Sequence, residues 1–174
     1  KMGAGTLGAI QNDVTSSRVK SVEAAAGSSV ALSSMNIVNP EFPDARTASP
    51  TVIAVDASDE KSWKHECFGP IVFVVKTQSV AQSLELTADC AAELGAITCS
   101  CYSTDTDFMV EVEDAMNAVF TPVSFNFSGA AFVNQHAAFS DFHVTGGNPS
   151  GNASFTDSQY VNRRFVWVGN RKMG

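Results

Sequence analysis

Two hydrophobic rhythms alternate along the chain. Behind a capping Asn12 or Asp13, residues through Arg18, Val19 and Val22 to about Ala26 follow the helical period, and Gly27 ends them. Residues 30–32 predict a short strand. Residues 39–50 hold three prolines and predict a surface loop. The β-branched, apolar residues 51–55 predict a strand, and Ser58 is placed to cap a short helix over 59–65. The unbroken apolar run 71–75 predicts a strand buried on both faces. From there helix and strand take turns. Val80, Leu84, Leu86, Ala88, Ala91 and Leu94 mark a helix with Gly95 as its C-cap. Residues 96–102 predict a strand. Asp105 or Thr106 opens a helix with Phe108, Val112, Ala115 and Val119 on one face, and residues 123–127 predict another strand. Residues 129–151, rich in Gly, Asn and Ser, predict irregular structure, and 164–168 a terminal strand.

Such alternation predicts an α/β fold, a mainly parallel sheet with flanking helices joined by right-handed crossovers. No repeat and no linker divides the 174 residues, so they read as one segment, with 168–174 as a tail. An apolar fraction of 44% and a charged fraction of 17% are those of a globular chain. The net charge of −7, without a Lys/Arg-rich run, argues against a nucleic-acid or anionic-membrane partner. No apolar stretch is long enough to span a bilayer, and the first ten residues do not resemble a secretory signal. The expectation is a cytoplasmic protein, and a chain that starts inside a larger domain.

Most chemical candidates dissolve on inspection. Gly3, Gly5 and Gly8 fit the spacing G-x-G-x-x-G but lack the strand that a dinucleotide fingerprint requires before it. His65-Glu66 starts like a zinc-helix motif, yet Gly69 stands where its second histidine belongs. His136, Asp141 and His143 gather ligand chemistry in a loop without a spacing that fixes geometry; no metal site is assigned. Cys67, Cys90, Cys99 and Cys101 match no zinc pattern and read as buried thiols of a reducing compartment. Asp105, Asp107, Glu111, Glu113 and Asp114 read as a solvated acidic helix face. One segment is sharper. In Glu66-Cys67-Phe68-Gly69-Pro70 a carboxylate, an aromatic ring and a Gly-Pro turn directly precede the apolar run 71–75. Ligands of α/β folds collect at strand ends, a carboxylate accepts hydrogen bonds from a diol, and a ring beside it can pack on another ring.

This segment resembles the E-x-F-G-P motif of the aldehyde dehydrogenase superfamily. Gly8-Ala9-Ile10 and the helix with Arg18-Val19 resemble the family's Gly-Pro-Leu segment and its following helix. Thr104-Asp105 and residues 123–126 resemble its Thr-x-Asp element and Val-x-Val-Asn strand. Phe132-Val133-Asn134-Gln135, Phe139-Ser140-Asp141-Phe142-His143 and Gly147-Asn148-Pro149 resemble the phenylacetic-acid-degradation (PaaN-type) branch, where most members carry a Pro-Phe-Gly-Gly loop instead.

The resemblance implies the C-terminal part of an aldehyde dehydrogenase catalytic domain. It implies a small-molecule aldehyde substrate, NAD or NADP as cofactor, and a homo-oligomer in the full-length form. Glu66 would hold the nicotinamide ribose hydroxyls, and Phe68 would pack beside the nicotinamide ring. No catalytic residue is expected in this segment: no cysteine here sits in the family's G-Q-x-C context, and Glu66 beside Cys67 disfavours a thiolate. The segment alone is therefore expected to be inactive. Two other readings stay open, a non-catalytic α/β fragment serving packing or oligomerisation, and a metal-binding domain through His136, Asp141 and His143.

Overall fold

The computed structural model describes residues 7–96, 98–127 and 170–172. The chain divides into two compact units, Lys1–Gln78 and Ser79–Gly174. The histidine–aspartate cluster at 136–143 and the strand expected over 164–168 lie outside the described residues.

In the first unit, helix α1 spans Asp13–Ala26. Asn12 caps it, its side chain accepting from Thr15 N at 2.9 Å, and Gly27 ends it at φ +53°. Strands β1 (Val30–Leu32), β2 (Thr51–Asp56) and β3 (Ile71–Lys76) form one sheet in that order. β1 runs antiparallel to β2, and β2 runs parallel to β3. The proline-rich loop between β1 and β2 is tied down rather than loose. Asn39 accepts from Glu41 N at 3.0 Å, the buried Thr47 hydroxyl donates to Ile37 O, and Asn36 bridges to Ala48. Helix α2 is only Glu60–Trp63, and Ser58 does not cap it. Ser58 N and its hydroxyl instead donate to the Asp56 carboxylate at 3.0 and 2.7 Å, closing an Asx-type turn at the end of β2.

The second unit holds helix α3 (Val80–Leu94), β4 (Cys99–Cys101), α4 (Thr106–Ala118), β5 (Val123–Phe125) and β6 (Arg171–Lys172). Ser79 caps α3 by accepting from Gln82 N at 3.1 Å. Asp105 caps α4 by accepting from Asp107 N and Phe108 N at 3.0 and 3.1 Å. The three strands are all parallel, with β5 central. Val112 and Met116 of α4, Ala91 of α3, Cys101, Val123 and Phe125 make the core. Three of the four strand pairings among the described residues are parallel, so the fold is the α/β class that the alternation predicts.

Burial corrects one expectation. The apolar run on β3 is not buried on both faces: Val72 is 45% and Val74 52% exposed, while Ile71, Phe73 and Val75 are half-buried. Among the described residues β3 pairs only with β2, and its exposed face continues through half-buried Val52 to exposed Leu32 across the sheet. The strand buried on both faces is β5, although it has a serine at its centre. Position in the sheet, not strand hydropathy alone, decides burial.

The acidic face of α4 is also more than solvated. Glu113 pairs with Lys172 and accepts from Asn170 at 3.1 Å, while Asn170 Oδ1 accepts from Val123 N at 2.7 Å. Hydrogen bonds from Lys172 and Asn170 hold the Glu113 carboxyl below the usual glutamate range. The sign follows from linkage. A depressed folded pKa stabilises at neutral pH, and the contribution disappears as pH falls through the folded value. Glu113→Gln should therefore destabilise at pH 7, and the deficit should shrink as pH falls through the lowered carboxyl value. A series of urea midpoints from neutral to acid pH checks this, and a deficit independent of pH would contradict it.

Candidate functional site

The turn of residues 66–70 lies between α2 and β3, and its backbone is fixed from three sides. Arg18 of α1 donates through its guanidinium to Phe68 O at 2.8 Å. Ile71 N donates to Gly69 O at 2.8 Å, and Thr51 N at the start of β2 donates to Pro70 O at 2.9 Å. Three successive carbonyls thus have protein donors, which leaves the turn few alternative conformations. Gly69 is the residue this geometry requires. Its φ is +141°, and an added Cβ would lie 3.3 Å from Thr15 Cγ2 and 3.5 Å from Val19 Cγ2. Thr15, Arg18 and Val19 are spaced i, i+3, i+4, one face of α1 pressed on the turn.

The side chains on this fixed turn face outward. Phe68 is 68% exposed, unusual for a phenyl ring. It lines a cleft of about 440 Å³ with Gly69 and Pro70, Leu7 to Gln11, Thr15, Ala48 and Pro50. Glu66 is exposed, and its carboxylate has no hydrogen-bond or ion-pair partner among the described residues. It does not line the cleft itself. The two residues singled out from sequence therefore sit two positions apart on one rigid turn, one in the cleft wall and one beside it. A carboxylate with spare acceptor capacity and an accessible ring suit a ligand carrying both a diol and a flat ring.

Cys67, Cys99 and Cys101 are not activated nucleophiles. Burial pushes the Cys67 thiol up, and the nearby Arg18 only partly opposes it. The cause is desolvation rather than the neighbouring Glu66 carboxylate. Burial pushes Cys99 up to about 11, with Cys101 adding to the shift, and burial also raises Cys101. At neutral pH all three remain protonated thiols. Only Cys101 is buried; Cys67, Cys90 and Cys99 are half-buried. No helix of the described residues is long and apolar enough to cross a membrane.

The support of the turn by α1 was not legible from the motif, because Arg18 lies 50 residues before Phe68. The helical spacing of Thr15, Arg18 and Val19 was the available signal.

The model of the aldehyde dehydrogenase family matches residues 3–158. The chain belongs to the aldehyde dehydrogenase family. Among solved structures it is similar to an NAD-dependent aldehyde dehydrogenase from Burkholderia multivorans, 44% identical with a TM-score of 0.67. That similarity covers 75% of this chain but 23% of the Burkholderia chain, so the chain spans under a quarter of its neighbour's length. No curated protein matches it.

Proposed function

We propose that the chain is the C-terminal part of an aldehyde dehydrogenase catalytic domain, in an enzyme that oxidises an aldehyde to an acid with NAD or NADP. Its own contribution is to seat the nicotinamide riboside. Glu66 accepts from the ribose hydroxyls, and Phe68 forms a wall for the ring. The observation that carries this reading is a phenyl ring kept in solvent, at the wall of a cleft, on a turn with three successive carbonyls held. The family membership supports the reaction class, and the NAD dependence of the Burkholderia enzyme favours NAD. The bound nicotinamide supplies the hydride acceptor. The residues of this chain orient that ring and exclude water from one side of it.

The exposed apolar face of Leu32, Val72 and Val74 supports a place within a larger domain, since such faces are commonly covered in a working protein. None of the four cysteines stands in the family's G-Q-x-C context, and burial raises the thiols of Cys67, Cys99 and Cys101, so the 174 residues alone reduce neither NAD nor NADP. The substrate is an aldehyde from aromatic breakdown of the phenylacetate type, on the resemblance of residues 132–149 to that branch. The full-length enzyme is a cytoplasmic homo-oligomer.

Phe68→Ala tests the ring contact. In the full-length enzyme it should slow hydride transfer about tenfold, the scale of a lost positioning contact. A primary isotope effect from deuterated aldehyde should grow at the same time. Turnover equal to the wild type would remove Phe68 from the site.

A further inference from the structure

We infer that Arg18 is a positioning residue of the cofactor site, acting through the main chain of the 66–70 turn rather than by touching cofactor. The inference rests on the proposed riboside site. Of the three carbonyls held in the turn, those of Gly69 and Pro70 are held by backbone N–H groups of β3 and β2. No side-chain substitution removes those bonds. The Phe68 carbonyl is held by a side chain, the Arg18 guanidinium at 2.8 Å. That carbonyl belongs to the residue whose ring lines the cleft. Arg18 therefore holds the peptide that leaves Phe68, whose rotation would tilt the Phe68 ring and pull on Glu66 two residues earlier.

The rest of α1 is arranged to hold that guanidinium in place. Asn12 fixes the first turn of the helix by accepting from both Thr15 N and the Thr15 hydroxyl, at 2.9 and 3.2 Å. Thr15 and Val19, on either side of Arg18 along the same face, meet Gly69. Val19 is buried, which locks the register of the helix against the turn. A single carbonyl needs one donor, so a lysine at position 18 can replace the guanidinium, whereas methionine keeps only the apolar stem.

The test is a double-mutant cycle in the full-length enzyme. It combines Arg18→Met with Glu66→Gln and follows single-turnover formation of reduced cofactor. Arg18→Met should slow hydride transfer about tenfold and raise the cofactor KM less than about threefold, because only ring placement suffers. Arg18→Lys should stay within about twofold of the wild type. The double variant should be little slower than the slower single one, since both changes release the same riboside. Simple helix stabilisation by Arg18 would instead give independent, multiplying effects, and multiplication overturns the inference. A wild-type rate for Arg18→Met with a slow Glu66→Gln also overturns it while leaving the riboside site standing. Wild-type rates for both overturn the site itself, and the role of Arg18 with it. Should Arg18→Met fail to fold, Gly69→Ala displaces the same peptide through Thr15 and must show the same non-additivity with Glu66→Gln.

Discussion

Glu66→Gln in the full-length enzyme should lower the rate of hydride transfer about 10- to 100-fold. The size follows from one charged hydrogen-bond pair. Bonds to an ionised acceptor are worth about 1.5–3 kcal/mol, and about 1.4 kcal/mol is a factor of ten in rate. A carboxylate accepts from two hydroxyls at once, whereas the glutamine amide turns a donor toward one of them. The cofactor KM should rise less than about fivefold, because most of a dinucleotide lies beyond the riboside and is gripped elsewhere. Stopped-flow formation of reduced cofactor, together with steady-state KM, separates the two effects. Equal losses in binding and rate would make Glu66 a general affinity residue. An unchanged rate would remove it from the site.

The geometry explains why so large an effect can come from an exposed surface turn. An outward side chain usually costs little to change, within about 0.5 kcal/mol of stability. Glu66 and Phe68 differ from such residues because the backbone beneath them is held at Phe68, Gly69 and Pro70. Their side chains are free of packing duties while the turn that carries them is held at Phe68 and the two residues after it, as preorganised contacts require. Stability and activity should therefore separate at this turn. Substituting either side chain spares the fold, whereas substituting Gly69 disturbs both, because its φ of +141° and the nearby Thr15 methyl resist a Cβ.

How far the sequence carried depended on how local the cause was. Asn12 and Asp105 cap the helices they were expected to cap, because capping is settled within three residues. Gly27 and Gly95 end their helices with positive φ for the same reason. Ser58 failed as a cap because Asp56, two residues earlier, offers its N–H and hydroxyl a carboxylate. The exposure of β3 and the burial of β5 were illegible, since sheet order rather than apolar content sets them. In the site, the residue types of the 66–70 turn were legible, and so was the glycine that its backbone demands. The grip of Arg18 and the hub at Asn170, 57 residues from Glu113, were not, because both depend on the folded path of the chain.

Phe125→Ala should be the most damaging single change to the fold, costing about 3–5 kcal/mol as a large aromatic removed from a closed core. Phe125 is fully buried on the central strand of its sheet, among Val112, Met116 and Ala91. Lys172 lies over its ring at 5.3 Å, so the substitution also removes a cation–π contact of about 0.5–1 kcal/mol. Loss of that contact loosens β6, whose Lys172 pairs with Phe125 in the sheet and with Glu113 on α4. Phe125→Leu, which refills most of the volume, should cost far less. Asp89→Asn, on the exposed side of α3, should stay within about 0.5 kcal/mol. Urea unfolding distinguishes the three, read as a shift in midpoint at constant slope. A loss under about 1 kcal/mol for Phe125→Ala would mean that the second unit is not organised around β5, since a closed core cannot give up a phenyl ring that cheaply.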